Sequence, residues 1–324
     1  MTTKQLLFSA TLFLFCCSFI TFSCTQSLVF QGSTLPADYI FPTKDTLSVL
    51  TWNVEHFVDD YDNPFIRNQM EDKPKDVNKR IDLLAATLKK INADVVVFEE
   101  FESRALAMKI AKEKLAGLGY RFFTGSESPD WYMNVVIMSK LPLGVTYSYG
   151  SIYTPVVGFK DSLGRMETQN NINARMISAE VRAKADLSFI LTGVHLKAGR
   201  FKRDTIIREG QVRFLQAQSK RFLKENKNAN LLLLGDFNST PESSEFKLLL
   251  NGDKAVQFID PLANTNVFSH PAEKPFWRID HILPNKNMMK YLVPNGVKVA
   301  EGLDMKALQE ISDHLPVVGK FLIK

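Results

Sequence analysis

Four consecutive leucines, Leu231–Leu234, run into Gly235, Asp236, Phe237 and Asn238, and this junction constrains the chain more than any other stretch. A short, purely apolar run reads as a strand covered on both faces, so it demands packed layers above and below it. A carboxylate and a carboxamide two residues apart at its end then stand where α/β sheets take their ligands, outside the carboxyl ends of the strands. Thr240-Pro241-Glu242 reads as the opening of a helix, with Thr240 as N-cap and Pro241 at the first position.

The same arrangement recurs along the chain. Leu47–Trp52 alternates like a strand and ends in Asn53, Glu55 and His56; Ala93–Phe98 ends in Glu99, Glu100 and Glu102. Arg175–Arg182 and Leu187–His195 read as paired strands across a turn at 183–186, and Asp280 follows Phe276-Trp277-Arg278-Ile279. Ser312-Asp313-His314 precedes the last strand. Between them, helical periodicity covers 76–91, 103–115, 204–224 and 241–250. Lys79 and Arg80 on the first of these, and Arg208, Arg213, Lys220 and Arg221 on the third, are expected to face solvent. Strands alternating with helices make the class α/β. Residues 58–74 form a long loop, Trp131 and Tyr132 read as packing residues, and the Gly- and Pro-rich stretch 140–172 carries no legible chemistry.

With 324 residues, 45% hydrophobic and 23% charged, the chain is neither disordered nor fibrous, and it has no Gly/Ser linker that would divide it. A formal charge of +5 helps attract a polyanion without specifying one. Residues 1–24, with Lys4 before an uncharged apolar run, have the layout of a secretory signal. Thr21-Phe-Ser-Cys24 also resembles a lipoprotein cleavage box, with Cys24 as the lipidated residue and a lipid anchor to the membrane; plain secretion is the alternative. Residues 25–45 read as a linker and 46–324 as one domain. Cys16, Cys17 and Cys24 are all the cysteines, so the domain has neither a disulfide nor a thiolate metal site.

Strand ends thus supply Asn53, Glu100, His195, Asp236, Asn238, Asp280, Asp313 and His314. Carboxylates and carboxamides without cysteine suit a hard cation such as Mg²⁺ or Mn²⁺, and histidines beside acids suit proton transfer near neutral pH. Lys197, Arg200 and Arg203 form a basic turn that would face an anion.

At Thr51-Trp-Asn53, Phe98-Glu-Glu100, Gly193-Val-His195, Gly235-Asp236-Phe-Asn238, Arg278-Ile-Asp280-His and Ser312-Asp313-His314, the chain resembles the endonuclease/exonuclease/phosphatase superfamily, the DNase I-like phosphoesterases. The resemblance runs from about Leu47 to Phe321 with all six motifs in order. It implies a four-layer DNase I-like α/β sandwich, two packed mostly antiparallel β-sheets flanked by helices. It also implies metal-assisted hydrolysis of a phosphoester by a monomer. Carried over residue by residue, Glu100 is the principal metal ligand, with Asn53 and Asp313 beside it. His314 is the general base, and Asp236 with Asn238 positions the attacking water, the aspartate being an alternative base. His195 assists the leaving oxygen, and Asp280 holds the His195 tautomer. Arg175, Lys197, Arg200 and Arg278 contact the substrate.

The basic turn and the Asn-Val-Glu opening favour a nucleic acid substrate, with a phosphatase or a lipid phosphodiesterase as the alternative. An exposed apolar hairpin would point to lipid. Two positions depart from the family pattern: Glu99 stands where Gln is commoner, and Asn134 where a small residue is usual.

Overall fold

The computed structural model describes residues 35, 36 and 38–324; the leader, Cys24 and the rest of residues 1–34 lie outside the described residues. One sheet is built from β1 (Thr46–Phe57), β2 (Val95–Phe101), β3 (Phe122–Gly125), β4 (Asn134–Ser139), β12 (Leu292–Val299) and β13 (Val317–Leu322), in the order β12-β13-β1-β2-β4-β3. The other holds β5 (Leu143–Ser148), β8 (Met176–Lys184), β9 (Leu187–His195), β10 (Leu231–Asp236) and β11 (Asp280–Pro284), in the order β11-β10-β9-β8-β5. Each sheet contains one parallel pair, β1 with β2 and β10 with β9, and is otherwise antiparallel.

Strand alternation divides the apolar residues among three layers. Val49, Val97, Leu191, Leu232, Leu234 and Ile282 meet between the sheets. Leu50, Trp52, Val96 and Phe98 face outward onto α1 (Val77–Ile91), α2 (Arg104–Lys114) and α5 (Met305–Ile311). Leu231, Leu233 and Val194 face the other way, onto α3 (Lys202–Glu225) and α4 (Ser244–Asn251). The result is the expected helix–sheet–sheet–helix sandwich. Counting by twos from the inward residues places Asn53, Glu99, His195, Asp236 and Asp280 on the inner face as well, at one end of the middle layer.

Two glycines set that end. Gly193 lies where the sheets approach so closely that a Cβ would fall 2.8 Å from Val97 Cγ1 and 2.9 Å from Val135 Cγ1. Gly235, at φ +141, passes the β9 backbone so closely that a Cβ would sit 1.9 Å from the Val194 carbonyl oxygen.

Several local expectations need correction. The helix after Asn238 starts at Ser244, capped by Ser243, whose hydroxyl accepts the Phe246 amide at 3.3 Å; Thr240 lies in the preceding turn. Residues 140–172 contain β5 and a hairpin of β6 (Tyr153–Lys160) and β7 (Met166–Asn171), with β6 packed on α3. The glycines and prolines there mask the alternation. Arg208 does not face solvent: it is buried and donates to Glu245 at 2.8 Å and to the Lys197 and Gly199 carbonyls at 2.8 and 2.7 Å. Arg80 turns back to the carbonyls of Val54, Glu55 and His56 at 3.0, 2.8 and 3.3 Å.

Candidate active site

The carboxyl ends of the two parallel pairs face each other across a cleft of about 730 Å³, lined by Asn53, Glu100, His195, Asp236, Asn238 and His314 among others. Asn53, His195 and Asp236 arrive by regular alternation, Asn238 and His314 lie just outside the ends of β10 and β13, and Glu100 arrives by neither route. Along β2, position 99 points between the sheets, so position 100 should point outward. A bulge turns it back: the β1–β2 and β2–β4 registers both slip here, and Glu55, His56 and Glu100 adopt φ of 44, 46 and 55. Left-handed backbone at non-glycine residues costs about 1–3 kcal/mol each and persists where neighbours enforce it. The enforcing contacts are the three Arg80 hydrogen bonds to the bulge carbonyls and the His56 amide, which donates to Glu100 Oε2 at 3.1 Å.

Asn53 ties the two halves together. Its Nδ2 donates to Glu100 Oε1 at 3.2 Å and to Asp236 Oδ2 at 3.0 Å, while its Oδ1 accepts the Glu55 amide at 3.0 Å. That Glu55 bond fixes the amide orientation, so Asn53 positions both carboxylates through its NH₂ group. His195 Nε2 lies 3.6 Å from Glu100 Oε1 and 3.8 Å from Asp236 Oδ2. Asn238, at φ +49, donates to Asp236 Oδ2 at 3.2 Å and to the Leu196 carbonyl at 3.1 Å, locking the turn that carries it.

Asp280 serves His314, not His195 as the resemblance implied. Its oxygens lie 3.1 and 2.9 Å from His314 Nδ1, and Oδ2 also accepts from Ser269 Oγ at 2.5 Å. His314 Nε2 is thereby left facing Asp236 Oδ2 at 4.0 Å. Asp313 lies 3.2 Å from His270 Nε2 and 3.7 Å from His314 Nε2, and its amide donates to Glu55 Oε2. His270 lies flat on Trp277, at an interplanar angle of 4°, and the Arg200 guanidinium lies 3.4 Å from the centre of the Trp277 ring.

The basic residues divide. Arg200 lines the cleft, and Arg175 lines a smaller cavity beside it, donating to the His195 and Leu196 carbonyls at 3.4 and 3.3 Å. Lys197 pairs with Asp204 at 3.1 Å and Arg203 with Glu167 at 2.6 Å. Arg278 is buried and bidentate to Asp260 at 2.9 and 2.8 Å, so it joins the scaffold and not the substrate surface.

Burial pushes Asp236 up to about 7, against the opposing pull of His314. Burial alone would lower His314, but Asp280, Asp236 and Asp313 raise it to about 10, which makes it an imidazolium at neutral pH. Burial brings His195 down to about 4, so it is neutral. Burial also holds Glu99 well above the carboxylate range; among the described residues it bonds only Thr51 Oγ1, at 2.8 Å, behind the cleft. Glu100 is opposite in sign: the imidazoles of His195 and His56 and the bonds from Asn53 and the His56 amide outweigh its burial and hold it low. An ionised Glu100 among oxygen and imidazole donors, with no sulfur donor, fits a hard divalent cation.

Sequence reasoning missed His270, Trp277 and Tyr132. Tyr132 OH lies 2.5 Å from His56 Nδ1, and His270 meets Asp313 only across 43 residues of chain. His56 alone carried a local signal, in the polar cluster after β1.

The sequence matches the family described as the Endonuclease/Exonuclease/phosphatase family over residues 50–314. No curated protein matches it. Among solved structures, it resembles D. rerio TDP2 complexed with single strand DNA product, at 16% identity and TM-score 0.57 over 86% of this chain and 99% of that one. The human Nocturnin catalytic domain with bound sulfate anion is 15% identical, TM-score 0.55, over 88% and 97%. An AP endonuclease from Archaeoglobus fulgidus is 17% identical, TM-score 0.52, over 85% and 99%. At these identities the structures share the fold, and the match over 50–314 carries the assignment: the chain belongs to the Endonuclease/Exonuclease/phosphatase family of phosphoester hydrolases.

Proposed function

We propose that this protein is an exported, Mg²⁺- or Mn²⁺-dependent phosphodiesterase that cleaves the nucleic acid backbone. The observation that carries the reading is the convergence of Glu100, His195, Asp236 and His314 on one cleft, with an Asp280–His314 pair behind it. Bound at Glu100, the cation would polarise a phosphoryl oxygen and offset the charge that develops on it. Asp236, near pH 7 and held by Asn53 and Asn238, takes the proton of the attacking water. His314, already cationic and fixed by Asp280, is a poor base; it stabilises the phosphoryl oxygens instead. His195, neutral and beside Glu100, donates a hydrogen bond to the leaving oxygen. Arg200 at the rim, stacked on Trp277, supports contact with a polyanion. The 1–24 segment supports export, either as a secreted protein or anchored through a lipidated Cys24.

A second reading has an observation of its own. The β6–β7 hairpin exposes Val157 (75%) and Leu163 (74%), together with Tyr153 and Met166, and such a surface suits a lipid phosphodiesterase. The test is a panel of DNA, RNA, sphingomyelin, phosphoinositide and bis(p-nitrophenyl) phosphate, with and without EDTA, for wild type and Asp236→Asn. EDTA-sensitive cleavage of DNA or RNA that Asp236→Asn loses supports the nuclease. Activity confined to the lipids overturns it in favour of the second reading.

A further inference from the structure

Beside the catalytic cleft lies a second cavity, of about 360 Å³, which meets the cleft at His195. Trp131 forms one wall; Asn170 and Asn171 from β7 and Asn173 from the turn before β8 supply the polar groups. Cavities of this size hold small organic molecules.

The charged residues around it are committed elsewhere. Arg203 is bidentate to Glu167, Lys197 pairs with Asp204, Asp130 with Arg67, and Arg175 donates to backbone carbonyls. What remains is neutral. Asn171 Oδ1 accepts the Asn173 amide at 2.8 Å, which leaves its NH₂ group, and among the described residues the side chains of Asn170 and Asn173 make no hydrogen bond. Trp131 stacks on Tyr132, with centroids 5.5 Å apart, and Tyr132 is held by His56.

Among the described residues, Arg175 is the one cation here without an acid partner in contact, and the nearby Glu100 and Asp236 carboxylates balance its charge and oppose a phosphate. A hydrocarbon chain would leave amide donors and acceptors unpaired, which is costly. A flat ring bearing both donors and acceptors satisfies every group: the ring lies against indole and its edge meets amides, the pairing that asparagine makes with nucleobases. We infer that this cavity takes the base of the nucleotide on the leaving-group side of the scissile phosphate. A base inside it is not paired, so the enzyme selects single-stranded or frayed nucleic acid over intact duplex. This inference deepens the nucleic acid reading above and depends on it.

The experiment uses the mature protein, Mg²⁺ and single-stranded oligonucleotides with one cleavable phosphodiester, in which an abasic residue is placed on either flank. Wild type should lose about tenfold or more in kcat/KM when the abasic residue stands on one flank only, and should cut the matching duplex more slowly by a similar factor. Trp131→Ala should erase the difference between intact and abasic strands, whereas Trp131→Phe, which keeps a ring, retains it. Should the alanine variant fail to fold, Asn170→Ala is the substitute and should shrink the same difference. Cleavage indifferent to abasic residues, or equal rates on duplex, overturns the cavity assignment and leaves the nuclease intact. No cleavage of any strand overturns both.

Discussion

His314, in the bend before β13, and Asp280, at the start of β11, form a buried ion pair, Nδ1 to carboxylate oxygens at 2.9 and 3.1 Å, and that pair sets the electrostatics of the cleft. Because His314 is raised from 6.5 to about 10, the folded state holds a proton that the unfolded chain releases earlier. The resulting stability is fully present below about pH 6.5 and is lost as pH rises through about 10. Thermal melts of metal-free protein from pH 6 to 10 should therefore fall steadily, and Asp280→Asn should flatten that slope and lower kcat by about 100-fold or more. A slope unchanged in Asp280→Asn would show that the pair does not hold the proton.

Glu100 is the ionised carboxylate at the mouth of the site, held by Asn53 and the His56 amide. Glu100→Gln keeps the shape and removes the charge. Calorimetric titration with Mg²⁺ should show at least about tenfold weaker binding in the variant. Equal affinity in both proteins would place the cation elsewhere.

The bidentate Arg278–Asp260 pair tests a residue that sequence reasoning assigned to substrate. Removing one partner of a buried pair costs about 3–5 kcal/mol. Arg278→Ala should accordingly lower the melting temperature sharply. In whatever protein stays folded, KM should not move; a raised KM at unchanged stability would restore the substrate role.

Arg80 braces the β1 bulge from α1 through the Val54, Glu55 and His56 carbonyls. Arg80→Ala should cost about 1–3 kcal/mol and lower activity by more than this stability loss explains, since Glu100 loses its aim. Arg80→Lys should not rescue it, because one ammonium lacks the planar fork that reaches all three carbonyls. Denaturant midpoints and kcat, measured together, separate the two effects.

Gly193→Ala would drive a methyl against Val97 and Val135, at about 1–3 kcal/mol. Combining it with Val97→Ala should recover part of that loss, whereas strictly additive penalties in the double variant would show that the crowding lies elsewhere.

The layers and the membership of most of the cleft follow from local patterns of residues. The Leu231–Leu234 run and the Val49, Val97 and Ile282 alternation dictate strands covered on both sides, and the same parity puts Asn53, His195, Asp236 and Asp280 inside the fold's open end. The partnerships came from the packing of distant segments. Asp280 could have served either histidine, and it serves His314 because β11 runs antiparallel beside β10 and the 269–270 loop brings Ser269 onto the same carboxylate. Arg278 and Arg203 found acids at positions 260 and 167 that no local pattern connects to them, and His270 met Asp313 from a loop with no period at all. Alternation is a local property of the backbone and survives in the sequence. Pairing between charges depends on which distant segments come to lie side by side, and that is settled only when the two sheets pack.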